Sequence, residues 1–271
     1  MRSEPQLDLQ TVALDGYSLT YTEPTGTAQG APMVLIHGSL CDCRYWKPQL
    51  GPLGRQFRVL APSLRHYWPE AWDGEGADFS IAQHTADVIA LIETVAGEPA
   101  HLVGHSRGGR IAIDVALARP DLVRSLILAD PGLSLPGEDE RGDFRQRALE
   151  HIRAGDADTG LALFIDTVTG PDTWRRMVPW FKDMVRDNAA TLLGQAVEPP
   201  APLDLDALAA LGLPTLLIGG ALSPPPYPAF IERLQALMPQ AQRLAITGSS
   251  HGMNLGNPRA FNQAILDFLG A

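Results

Sequence analysis

Hydrophobic and polar residues alternate over positions 7–22 on either side of Asp15-Gly16, which predicts two strands joined by a tight turn. The pattern then changes. Pro32–Ile36 and Phe57–Ala61 are short, unbroken apolar runs, as expected of strands buried on both faces of a sheet. Ser80 with Gln83 three residues on resembles a capping box, and Ile81, Thr85, Val88, Ile92 and Val95 then recur at helical spacing as far as Gly97. A further apolar strand ends near Leu102-Val103, and the helical pattern after it stops before Pro120. Val123–Asp130 is another buried strand, closed by Pro131-Gly132. Strands alternating with helices of this length predict an α/β fold with a mainly parallel, doubly wound sheet and right-handed crossovers.

From about residue 134 to 211 the strand signal disappears. Short amphipathic stretches, Thr173–Val178 capped by Asp172 and, beyond an interruption at Pro179, Trp180–Leu193, lead to the hinge-like Pro199-Pro200-Ala201-Pro202. This segment is expected to be an all-helical cap, with residues 1–133 and 212–271 as the core and 134–211 as the insertion. The core pattern resumes with Pro214–Ile218, a helix near 228–238, the strand Arg243–Ile246 and a last helix at 258–269. Phe164, Trp174, Met177, Trp180, Phe181 and Met184 recur at helical spacing in the cap, where most are expected to hold it on the sheet.

Composition narrows the class. With 271 residues, 45% of them hydrophobic, the chain can bury a large core. A net charge of −10 and the lack of a basic stripe argue against nucleic acid as a partner. The first ten residues contain no apolar core of a signal peptide, and no run approaches the roughly 20 apolar residues of a membrane span. The two cysteines, Cys41 and Cys43, stand too close together to frame a fold, and no further ligands lie near them to complete a metal site. The expectation is a soluble, cytoplasmic protein with no nucleic-acid, membrane or metal partner.

The chemistry concentrates where a strand meets a helix, at Gly104-His105-Ser106-Arg107-Gly108. A lone Gly-x-Ser-x-Gly string is weak, but in this context it reads as a nucleophile elbow. Its glycines leave no Cβ to clash and tolerate the backbone angles of a sharp turn. Two more stretches stand in order along the chain, Ile36-His37-Gly38-Ser39-Leu40 after one strand and Ser249-Ser250-His251-Gly252-Met253 after the last. Together the three resemble the motifs of the α/β-hydrolase family with a helical cap, and the resemblance covers essentially the whole chain. It implies a cofactor-independent serine hydrolase acting on a small-molecule ester or lactone. Ser106 would be the nucleophile and His251 the base, with an oxyanion hole from the backbone N–H groups of Arg107 and Ser39, Leu40 being the near alternative. His37 and His105 would scaffold the turns. Leu40, Trp46, Trp174, Met177, Trp180 and Met253 are the expected pocket residues.

The acid departs from the family pattern. It usually follows the strand represented here by Pro214–Ile218, where this chain has Gly220-Ala221-Leu222-Ser223. The family's second position is the end of the preceding strand, and Asp130 stands there; Glu138, Asp139 and Glu140 are alternatives in a charged stretch. Arg107 is a cation at a helix N-terminus, opposed to the macrodipole. It is expected to pair with a carboxylate, and the sharper alternative is that Arg107 or Arg65 meets an anionic part of the substrate. Tyr45, Trp46, Tyr67 and Trp68 either wall the pocket or belong to the core. A serine nucleophile argues against the aspartate-based dehalogenase and epoxide-hydrolase chemistries of the family. Carbon–carbon bond hydrolysis, perhydrolysis and acyl transfer by the same residues are alternatives. The serine at position 223 raises a non-catalytic ligand-binding protein as the reading from another class, which the retention of Ser106, His251 and Asp130 opposes.

Overall fold

Unbroken apolar runs become inner strands, because only a residue buried on both faces of a sheet has no use for a polar side chain. A computed structural model of the chain describes residues 7–24, 30–133 and 141–270. Its strands are β1 (Leu9–Leu14), β2 (Tyr17–Thr22), β3 (Pro32–Ile36), β4 (Arg58–Pro62), β5 (Ala100–His105), β6 (Val123–Ala129), β7 (Thr215–Gly220) and β8 (Gln242–Ile246). They form one sheet in the order β1-β2-β4-β3-β5-β6-β7-β8. The β1–β2 hairpin is antiparallel and joins β4 antiparallel, and every pairing from β4 to β8 is parallel. Met33–Ile36, Leu102-Val103 and Leu126–Ala129 are wholly buried at its centre.

The flanking helices are α1 (Lys47–Gly54), α2 (Ile81–Leu91), α3 (Arg107–Ala118), α10 (Tyr227–Leu237), α11 (Met253–Gly256) and α12 (Pro258–Leu269). Between β6 and β7 lie α4 (Phe144–Arg153), α5 (Ala157–Thr169), α6 (Thr173–Arg176), α7 (Pro179–Asp187), α8 (Thr191–Val197) and α9 (Leu205–Ala210). Helices α4 to α8 pack on one another, whereas α9 packs against α3 and α10 beside the sheet. Among the described residues no helix is long and apolar enough to cross a membrane.

Several local features differ from the sequence reading. Ser80 accepts from the Gln83 N–H, but the Gln83 side chain turns to Asp87, so only half of the capping box forms. The helix begun at Ile81 widens into a π turn over Ile92–Ala96 before Gly97 ends it at φ +71°. Pro179 opens α7 at its first position, where a missing N–H costs nothing. Asp172 caps no helix with its side chain; it sits at φ +60° and pairs with Arg175.

In parallel strands the carboxyl ends share one edge, and the register aligns them: Ile36 pairs with Gly104, His105 with Ala129, Ala129 with Ile218, and Gly220 with Ile246. The loops carrying Ser39, Ser106, Asp130, Ser223 and His251 all leave the sheet at that edge.

Candidate active site

Ser106 joins β5 to α3 at φ +52°, ψ −121°, a left-handed conformation that a non-glycine residue adopts only when its surroundings enforce it. They do. The Ser106 N–H donates to the Ala129 carbonyl at 3.1 Å, and its own carbonyl accepts from Gly109 at 2.9 Å and Gly132 at 2.8 Å. The glycines serve close approach and not positive φ. A Cβ on Gly104 would lie 2.4 Å from the Gly108 oxygen, and one on Gly108 would lie 2.1 Å from the Ile36 oxygen. The strain sits on the serine, and of the two reasons expected for the glycines it is the missing Cβ, not a tolerance of unusual angles, that the fold uses.

The turn after β3 presses against this elbow. A Cβ on Gly38 would stand 2.9 Å from the Ser106 Cβ. His37 fixes the turn from within: its Nε2 accepts the Leu64 N–H at 3.0 Å, which leaves Nδ1–H to donate to the Gly38 carbonyl at 2.8 Å. Burial pushes His37 down to about 4, so it stays neutral in this role. The Arg107 N–H is the first of α3, with no intrahelical acceptor. Among the described residues neither it nor the Ser39 N–H donates to a protein acceptor.

His251, buried at 4% exposure, follows β8 in the turn before α11. Its Nδ1 lies 3.4 Å from Oδ2 of Asp130, which is 1% exposed. The Ser223 hydroxyl donates to the same Asp130 oxygen at 2.5 Å. The residue that replaces the family's usual acid thus holds the carboxylate next door. The Tyr227 ring stacks on His251 at 3.8 Å and 17°. His105 Nε2 stands 2.7 Å from the His251 carbonyl oxygen and donates to it, and burial pushes His105 down to about 3. Burial pushes Asp130 up to about 6, against the pull of the Ser223 hydroxyl, the His105 ring and the Gly220 N–H. Burial, then the charge of Arg141, pushes His251 down to about 3. Near neutral pH the two face each other as carboxylate and neutral imidazole.

Ser39, Ser106, Arg107 and His251 line a cavity of about 1190 Å³ roofed by the inserted helices. Met177 and Trp180 line it too. Leu40, Trp46, Trp174 and Met253 do not: the first two and Met253 are fully buried in the core, and Trp174 is partly buried with Lys182 and Arg186 over its ring. Of the four aromatic residues named as wall or core, Tyr45 reaches the cavity, while Trp46, Tyr67 and Trp68 do not. Cys41 lies on the wall, but burial pushes its thiol well up, and pushes Cys43 up to about 12. No cluster suited to a metal occurs among the described residues.

The Arg107 guanidinium bonds twice to Glu198, at 2.7 and 2.6 Å, so its partner is a carboxylate from the insertion. Arg65 is held by Asp87 at 2.8 and 2.9 Å and by Asp78 at 3.0 Å, away from the cavity. Glu138, Asp139 and Glu140 lie outside the described residues. Ser223 as a donor, Tyr227 as the ring on His251, and Glu198 were not legible in the sequence. Only Ser223 carried a signal, by standing where an acid was expected.

Residues 33–264 match the model of the alpha/beta hydrolase family. Over 254 residues the chain is 26% identical to the pimeloyl-acyl-carrier protein methyl ester esterase of Aeromonas hydrophila, covering 89% of this chain and 96% of that protein. It is 29% identical over 250 residues to the polyketide synthase ThaQ of Burkholderia thailandensis, where it spans 82% of this chain but 11% of that much longer protein. The solved structure of a hydrolase from Pseudomonas aeruginosa PA01 superposes with a TM-score of 0.81 at 26% identity, covering 97% of this chain and 99% of that one.

Proposed function

The chain belongs to the alpha/beta hydrolase family, and we propose that within it the protein is a cofactor-independent serine hydrolase that cleaves an ester or lactone through an acyl-enzyme. The observation that carries this reading is the strained Ser106 on the wall of a cavity it shares with His251, whose Nδ1 faces the buried Asp130 at 3.4 Å. A serine hydroxyl is a weak nucleophile until a base takes its proton. His251 Nε2 removes the proton as Ser106 Oγ attacks the substrate carbonyl carbon. Asp130 keeps the Nδ1–H tautomer aimed and stabilises the imidazolium that forms.

The Ser39 and Arg107 amides donate to the oxyanion, in a site where buried donors are worth more than in water. The imidazolium returns its proton to the leaving alkoxide, and water then releases the acid by the same steps in reverse order. Helices α4 to α8 act as the cap, and the likeness to a methyl ester esterase supports a carboxylic ester as the substrate class. The test is to offer p-nitrophenyl acetate and simple lactones, quench in acid within the first turnovers, and weigh the Ser106 peptide. An acyl adduct there is expected. Turnover with no such adduct, or no turnover of any activated ester, would sink the proposal.

A further inference from the structure

Two side chains at the end of α8 reach the two residues whose amides make up the proposed oxyanion hole. The Ser39 hydroxyl donates to Gln195 Oε1 at 3.0 Å, and the Arg107 guanidinium bonds to both oxygens of Glu198. Ser39 and Arg107 belong to different loops, one leaving β3 and one opening α3. Gln195 lies in the last turn of α8 and Glu198 directly after its end, where the backbone has turned extended.

Each loop is held on its own account, the elbow by the backbone bonds around Ser106 and the Ser39 turn by the His37 ring. Glu198 fastens α8 to the elbow, and Gln195 fastens it to the Ser39 turn, so the helix end ties the two in register. A serine hydroxyl stands a single carbon away from the main chain, so anchoring it restrains the Ser39 backbone closely.

The helix is itself seated firmly. A Cβ on Gly194 would meet the Trp72 ring at 2.5 Å and the Phe79 ring at 2.7 Å. Asn188, just before α8, donates to Asp42 at 2.7 Å and accepts from the Trp68 N–H at 2.8 Å. The same Phe79 ring lies 5.1 Å beneath the Arg107 guanidinium, and His84 Nδ1 accepts from that guanidinium at 3.3 Å. Arg107 is 7% exposed, so Glu198 also neutralises a charge that is almost wholly buried.

We propose that Gln195 and Glu198 are positioning residues that set the spacing of the Ser39 and Arg107 amides, so that seating α8 completes the oxyanion hole. The inference rests on the serine-hydrolase reading above. Oxyanion donors act on the tetrahedral species and little on the bound ester, so their displacement lowers kcat and leaves KM nearly alone.

Gln195→Ala, Glu198→Ala and Glu198→Gln test it, assayed with p-nitrophenyl acetate and with phenylboronic acid. The boronic acid adds the Ser106 oxygen to boron, with the hydroxyl proton passing to His251, and holds a tetrahedral anion in the hole. Each alanine variant is expected to lose about 10- to 100-fold in kcat, as small misplacements of catalytic groups do. The boronic acid Ki rises by the same factor, and KM stays within about twofold. Glu198→Gln keeps an oxygen for the guanidinium and recovers most of the loss. Unchanged kcat and Ki, or a loss confined to KM or to the melting temperature, overturns the inference. A wild type that neither turns over the ester nor binds the boronic acid overturns the hydrolase reading itself, and the inference with it.

Discussion

Asp130→Asn is expected to stabilise the fold while nearly abolishing turnover. In the folded chain burial pushes the Asp130 carboxyl from its ordinary 3.8 up to about 6. Below pH 3.8 the group is protonated in both folded and unfolded chains. Between 3.8 and about 6 the folded chain keeps the proton that the unfolded chain has released, so each rise in pH favours unfolding. Above about 6 the penalty is complete. Two pKa units at about 1.4 kcal/mol each make it about 3 kcal/mol. The asparagine variant has no such titration, and its oxygen can still accept from Ser223. Its advantage over wild type should therefore grow by about 2 kcal/mol between pH 4, where the unfolded carboxyl is already more than half ionised, and pH 8. The contribution of His251 is common to both proteins and cancels to first order. Urea unfolding of the pair at pH 4, 5, 6, 7 and 8 gives the difference directly. A difference flat with pH, or one that shrinks as pH rises, would contradict a carboxyl that burial raises in the folded chain. The same variant should lose roughly 10⁴ in kcat, because an amide favours the wrong tautomer of His251.

The acid limb of kcat/KM should fall as pH drops through about 6, where Asp130 takes up its proton, and a pH-rate profile on a stable ester locates it. Ser223→Ala removes the 2.5 Å donor that favours the carboxylate, so that limb should move to higher pH and kcat should drop about tenfold. Gly108→Ala puts a Cβ 2.1 Å from the Ile36 oxygen and should cost at least about 3 kcal/mol in thermal or urea unfolding; a near-native melting temperature would contradict the close packing of the elbow. Tyr227→Leu removes the ring stacked on His251 and should lower kcat about tenfold, while Tyr227→Phe stays near wild type in the same assay.

The strands at the centre of the sheet were legible because double-sided burial leaves no polar position, and the elbow because Gly104 and Gly108 stand where backbones nearly touch. Side-chain direction was not legible. Leu40, Trp46 and Met253 flank the site in sequence, yet they point into the core, since adjacency along a turn does not say which side faces the cavity. Arg65 looked available for a substrate until the fold brought up Asp78 and Asp87 from 13 and 22 residues away. Glu198 is an unremarkable residue before a proline stretch, 91 positions from the arginine it meets, and only the packing of the insertion reveals the pair.

In the proposed reaction His251, held by Asp130, activates Ser106. The most direct measurement is the rate at which a fluorophosphonate inactivates the wild type and Asp130→Asn, with the adduct mapped by mass spectrometry. The expected result is one adduct, on Ser106, forming orders of magnitude more slowly in the variant. Equal rates would remove Asp130 from the mechanism, and an adduct elsewhere, or none, would contradict the assignment of Ser106.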